Sequence, residues 1–135
     1  MTDFLEHVMA AGVGELAETM GIEITEATPQ RMVGTMPVAG NRQPYGLLHG
    51  GANVVLAETL GSIAAALHGG PEKAPVGIEV SATHHRSATS GHVTGTATAI
   101  SLGRTVASYE ILIVDDEGRR TCTARLTCLL RDRVS

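Results

Sequence analysis

One carboxylate stands alone in the most apolar stretch of this 135-residue chain. Between Gly51 and Leu67 the only charged side chain is Glu58. Burying a carboxylate without a partner costs several kcal/mol. At helical spacing its neighbours are Val54, Val55, Gly61 and Ser62, none of them positively charged. An ion pair on a solvated helix face is therefore excluded, and a lone carboxylate among apolar residues is a candidate for acid–base or nucleophilic work. Ser62, one turn on, is spaced to hydrogen-bond it.

His49-Gly50-Gly51 opens the same stretch. As turn chemistry, the glycines give backbone freedom and His49 gives a cap. As a site, the first turn of a helix carries unpaired N–H groups and partial positive charge, suited to a polarised carbonyl or an oxyanion. Without a Cβ, Gly50 and Gly51 let a carbonyl approach the backbone closely. Gln43, in the loop before His49, has an amide donor that can reach the same carbonyl.

The other candidates are weaker. His84 and His85 are adjacent in a strand-like segment, so they point to opposite faces and do not chelate one metal; one lines a pocket while the other is solvated. No Cys/His cluster has metal-ligand spacing, and no metal is expected. Arg86 and Arg104 are either ordinary surface charge or a lure for an anionic handle such as phosphate. No Walker-type or dinucleotide glycine fingerprint occurs, and neither a G-x-S-x-G elbow nor a Cys–His arrangement supplies another nucleophile.

Composition narrows the function class. The net charge is −4 with no basic run, and Phe4, Tyr45 and Tyr109 are the only aromatics. Both features argue against nucleic-acid binding. Cys122 and Cys128 share a face of one strand-like segment but lie roughly 20 Å apart at ~3.3 Å per residue, too far for a mutual disulfide. A reduced, cytoplasmic setting fits them best. Residues 1–10 lack the basic start of a signal peptide. The apolar stretch 52–67 reads as too short and too polar to span a membrane.

These residues need elements to hold them. Residues 3–18 have helical periodicity, weakened by Gly12 and Gly14. Residues 22–28 and 31–38 alternate about a turn at Pro29-Gln30, which predicts a β-hairpin. A loop follows over 39–46. The spacing predicts a helix over 50–67, ended by His68-Gly-Gly-Pro71, and apolar on nearly every side, hence surrounded. Strand-like segments cover 76–87, 91–102, 105–114 and 119–130, joined by tight turns that predict consecutive antiparallel strands. Asp132–Ser135 reads as a polar tail. The result is one α+β domain over 1–135, with an antiparallel sheet curled around a central helix.

The set Gln43-x5-His49-Gly-Gly-x6-Glu58-x3-Ser62 resembles the hotdog-fold acyl-CoA thioesterases. More narrowly, it resembles the branch of the 4-hydroxybenzoyl-CoA and 1,4-dihydroxy-2-naphthoyl-CoA thioesterases and the proofreading thioesterase of enterobactin synthesis. Leu56-Ala-Glu-Thr-Leu-Gly-Ser, Gly77-Ile-Glu-Val, His84-His-Arg-Ser and Ser101-Leu-Gly-Arg extend the likeness from about Gly21 to Leu130. The related phenylacetate-type branch usually has Asp where Glu58 stands.

The resemblance implies hydrolysis of an aryl or medium-length acyl-CoA, with no cofactor beyond the CoA of the substrate. It implies a homodimer joined edge to edge, usually doubled to a homotetramer, with Glu58 and Ser62 of one subunit facing Gln43, His49 and Gly50 of the other. Glu58 is then nucleophile or general base. The Gly50 N–H, helped by Gln43, polarises the carbonyl, His49 orients the loop or the thioester end of the substrate, and Ser62 positions Glu58 or water. Gly77, the segment His84, His85, Arg86 and Ser87, and the segment Ser101, Leu102, Gly103, Arg104, Thr105 and Val106 match positions that hold CoA; His84 is placed at the acyl group. A non-catalytic acyl-CoA-binding module is the competing reading. A hotdog hydratase needs a His–acid spacing that is not found.

Overall fold

A computed structural model describes residues 2–134. In chain order the elements are α1 (Thr2–Ala10), α2 (Glu15–Thr19), β1 (Glu23–Ala27), β2 (Arg31–Pro37), α3 (Gly50–Gly69), β3 (Lys73–His84), β4 (His92–Leu102), β5 (Val106–Asp115) and β6 (Arg120–Asp132). The six strands form one antiparallel sheet in the order β1-β2-β4-β5-β6-β3, and α3 packs against β2 through β6. This is the helix-in-sheet architecture that the alternation and the apolar helix predict.

Small residues let helix and sheet approach. Gly34 and Gly95 are register partners on β2 and β4, and a Cβ on either would stand 2.8 Å from a Leu60 methyl. Leu60 therefore seats in a hole made by two opposed glycines. Gly61 does the reverse: a Cβ there would lie 2.5 Å from Leu126 Cδ2 on β6. Leu56, Leu60, Ile111, Ile113 and Leu126 are fully buried around this seat, each contributing about 2 kcal/mol of apolar burial. Tyr109, the one buried aromatic, satisfies its hydroxyl by donating to Pro29 O at 2.6 Å.

The structure corrects the sequence reading at several points. The helix expected over 3–18 is broken into α1 and α2, because Gly12 and Gly14 adopt φ of +80° and +93°, which a continuing helix forbids. β3 starts before Pro75, which an edge strand tolerates because its N–H need not join a ladder. β3 and β4 are not neighbours. β3 pairs with β6 at the sheet's far edge, so residues 85–91 are a crossing and not a hairpin turn. The crossing is pinned by His85 N–H to Thr121 O (2.8 Å), Leu48 N–H to Ala88 O (2.9 Å) and Val38 N–H to Gly91 O (2.9 Å). It thereby lays the end of β3 against the loop that opens α3.

The central helix differs twice from expectation. It has 20 residues and is, by length and composition, apolar enough to cross a membrane; here the sheet covers one side of it. It is also not fully surrounded: Val54, Val55, Glu58, Thr59, Ser62, Ile63 and Ala66 form a half-exposed stripe at helical spacing. Asp132 is not a free tail residue, since it ends β6 and pairs with Lys73 at 2.7 Å; Ser135 lies outside the described residues.

Candidate functional site

The loop before α3 is built around Gln43. Its backbone N–H donates to Leu47 O at 2.8 Å, and its side-chain Oε1 accepts from the N–H groups of Tyr45 and Leu47. With Oε1 committed to its own loop, the amide is oriented, and among the described residues Nε2 has no partner. Gln43 lines a cavity of about 240 Å³ with Leu47, Gly50, Asn53, His84, Arg86 and Ser87. The Gly50 N–H, at the positive end of α3, likewise has no acceptor among the described residues.

The two glycines serve a purpose that local sequence does not reveal. A Cβ on Gly50 would stand 3.0 Å from His84 Nε2, and one on Gly51 would stand 3.0 Å from His49 Nδ1. Each missing side chain makes room for an imidazole. His49 caps the helix, its Nδ1 accepting from the Gly51 N–H at 2.8 Å. Its ring faces Met20, Asn41, Arg42 and Val55, away from the Gln43 cavity. His84 turns into the cavity beside Gly50, whereas His85 turns away and meets Thr123 Oγ1 at 2.9 Å.

Glu58 belongs to a different surface. Two turns from Gly50, about 12 Å along the axis, it lines a groove of about 420 Å³ with Val13, Leu16, Val55, Thr59, Ser62 and Ile63. Its carboxylate rests on bare backbone: a Cβ on Gly77 would stand 2.5 Å from Glu58 Oε2. Gly77 thus touches Glu58 of its own chain, at a bulge in β3. Ser62 stands beside the Cys128 thiol. Burial pushes that thiol's pKa up, the Ser62 hydroxyl pulls it down and the nearby Glu58 charge pushes it up again. Cys122, also free and buried, has its pKa raised by burial.

The segment Ser101–Val106 lies at the other end of α3. Gly103 N–H closes the turn on Val106 O at 2.9 Å, and His68 Nε2 meets Gly103 O at 2.6 Å. His68, Lys73, Leu102, Gly103, Arg104 and Leu130 surround a cavity of about 340 Å³ there. One chain therefore brings together Gln43, Gly50, His84, Arg86 and Ser87, and separately Glu58, Ser62 and Gly77. It does not join these groups to each other or to Ser101–Val106. The residue missed from sequence is Asn53, a buried amide one turn after Gly50 that shares the Gln43 cavity. Its signal was an Asn at i+3 from Gly50 on the core side of an apolar helix. Among the described residues no group of three His, Cys, Asp or Glu could hold a metal.

The chain and its fold are similar to known proteins. The profile of the thioesterase superfamily matches residues 45–122. The proofreading thioesterase EntH of Cronobacter turicensis is 47% identical over 124 residues, covering 91% of this chain and 90% of that protein. A thioesterase from Haemophilus influenzae superposes with a TM-score of 0.89 at 37% identity, over 97% of this chain and 92% of that one. A hypothetical thioesterase from Streptococcus pneumoniae, solved with coenzyme A, shares the fold with a TM-score of 0.77 at 19% identity, over 100% of both chains.

Proposed function

The chain belongs to the hotdog-fold thioesterase superfamily and is a thioesterase, and from that premise we propose that it hydrolyses an aryl or medium-length acyl-CoA to the free acid and CoA at sites shared between two copies. 1,4-Dihydroxy-2-naphthoyl-CoA is one candidate substrate. The observation that carries the proposal is the split between the two groups of residues. Gln43 Nε2 and the Gly50 N–H are donors without acceptors among the described residues, and Glu58 is a carboxylate about 12 Å away along the same helix. A thioester cannot meet both within one chain, but it can where the stripe of one copy faces the loop of another.

The edge strand β3 supplies the joint. It runs for 12 residues with one side unpaired among the described residues, and Ile78 on it is 57% exposed. A long edge of this kind recruits another strand, and a second copy joined there gives a two-fold dimer, which can double to a tetramer.

In the joined site the donors of Gln43 and Gly50 polarise the thioester carbonyl and hold its oxyanion. Glu58 either attacks the acyl carbon, giving an anhydride that water opens, or takes a proton from water as it attacks. Either way CoA leaves as the thiol and the acyl group as the acid. Ser62 sits beside Glu58 to orient it or the water, and His49 fixes the loop by capping the helix. His84 is assigned to the acyl end beside the thioester, and His85, Arg86, Ser87, Gly77 and Ser101–Val106 to CoA and its pantetheine arm, with Arg86 and Arg104 for the phosphates. The buried free thiols suit a reducing cytoplasm.

The test is complementation. Glu58→Ala and Gln43→Ala chains are each inactive in a thiol-release assay with aryl- and aliphatic acyl-CoAs. Co-folded, half of the dimers are mixed and carry one intact site, restoring about a quarter of wild-type activity. No recovery places both groups in one chain and ends the shared-site reading. Equal slow release by wild type and Glu58→Ala would mean a binding module.

A further inference from the structure

Asn53 is an unexpected residue for the core side of a helix. It is 4% exposed, and its neighbours on that side are Leu56, Ala57 and Leu60. Its Oδ1 is buried with no partner among the described residues, a cost of about 1–3 kcal/mol. Stability alone would favour Ala or Leu here. Among the described residues the amide makes a single polar contact: Nδ2 lies 3.3 Å from His84 Nδ1.

That contact fixes chemistry on the far side of the ring. An amide N–H donated to Nδ1 makes Nδ1 the acceptor, so the ring proton sits on Nε2. His84 Nε2 is the atom that lies against Gly50, 3.0 Å from where a Cβ would stand. In that tautomer the ring presents an N–H beside the Gly50 N–H, which has no acceptor among the described residues, in the cavity that Gln43 also lines.

We propose that Asn53 is a positioning residue that holds the ring proton of His84 on Nε2, so that this N–H donates beside the Gly50 N–H toward the thioester oxygen. The proposal rests on the reading of this cavity as the carbonyl-binding half of the site. The carboxylate of Glu58 serves the other half and is not part of it.

Two measurements test it. The first needs no substrate: long-range proton–nitrogen correlation on 15N-labelled protein, with the His84 ring assigned by its loss in His84→Gln. The Nε2–H form is expected in the wild type, a mixture of tautomers in Asn53→Leu, and the Nδ1–H form in folded Asn53→Asp, whose carboxylate accepts from Nδ1–H. An Nδ1–H ring in the wild type, or the same ring state in all three proteins, overturns the proposal. The second is a double-mutant cycle on thiol release. Asn53→Leu, or Asn53→Ser where Leu lowers Tm, should reduce kcat on the order of tenfold to a hundredfold with KM little changed. In a His84→Gln background the same change should do almost nothing. Losses that multiply independently mean Asn53 does not act through His84. Because the ring state is read without turnover, a failure of the thioester reading shows in the assay and a failure of the tautomer assignment shows in the spectrum.

Discussion

The two ends of the stretch Gln43–Ser62 are built on opposite plans. At its start every group is held from within the chain: Gln43 Oε1 by its own loop, the Gly51 N–H by His49, and His84 by Asn53. What remains is a set of oriented donors. Eight residues on from Gly50, Glu58 and Ser62 lie on a half-exposed apolar stripe, and Glu58 has no hydrogen-bond donor among the described residues. The first region is finished by one chain; the second, on the proposed reading, is finished by the copy that covers the stripe. Oxyanion donors gain from being fixed before substrate arrives. A carboxylate that must attack or deprotonate gains from being closed over only when the site is complete.

The contrast breaks most sharply at Glu58. Glu58→Ala should lower kcat by at least ~10²-fold while Tm holds or rises, because no internal hydrogen bond is lost. A fall in Tm of the kind a core substitution gives would mean Glu58 is structural. At the other end Gly50→Pro deletes the free N–H at a position where helices accept proline, after a residue already extended at ψ 132°. Gly50→Ala keeps the N–H but presses a Cβ on His84. The proline variant should lose roughly 10²-fold more kcat than the alanine variant, the order expected for one oxyanion donor. Equal losses would assign the effect to His84 alone.

Gly77→Ala probes where the two plans meet. Its Cβ would displace the end of a flexible side chain, Glu58 Oε2 at 2.5 Å, and the nearest atom outside Glu58 is Leu126 Cδ1 at 3.4 Å. Alanine is favoured over glycine in a strand by about 0.5–1 kcal/mol. Stability should hold or improve while kcat falls about tenfold, a smaller loss than Glu58→Ala because the carboxylate is moved and not removed. A variant with full activity would show that the Glu58 position seen against Gly77 is not the working one.

Much of this was legible in the chain because it is local. The spacing from Gln43 to Ser62 lies in one loop and one helix, where sequence distance translates directly into position. The hairpin at residues 23–37 and the apolar helix follow from periodicity alone. What was hidden is non-local. Ala88–Gly91 has the composition of a hairpin turn, and only the pairing of β3 with β6 shows it to be a crossing. Alternation puts His84 and His85 on opposite faces without saying which is inside. That Gly50 is small for the ring of His84, and that Asn53 faces the same ring, depends on residues more than thirty positions apart meeting through that crossing.

The β5–β6 turn offers the smallest effect and the cleanest control. Asp115 is buried, at 8% exposure, and accepts from the N–H groups of Glu117 (3.0 Å) and Arg119 (2.9 Å) and from Arg119 Nε (2.9 Å). Burial pushes its pKa up, but the Arg119 bonds and charge and the Glu117 N–H together outweigh it and hold the group below the usual 3.8. A carboxyl depressed on folding adds stability that is present above its unfolded pKa and lost as pH falls through the folded one. Asp115→Asn should therefore lower Tm at neutral pH, and the gap to wild type should close as the pH drops below about 4. Thiol release should not change. The turn meets the near end of the crossing through β6, where the Thr121 hydroxyl is independently tied to Ile113 O at 3.2 Å, and its far end through Asp116, whose Oδ2 accepts from the His92 N–H at 3.0 Å without using Asp115. A kcat that followed the Tm loss would show that the donors beside Gly50 are held by the whole sheet and not by the loop around Gln43.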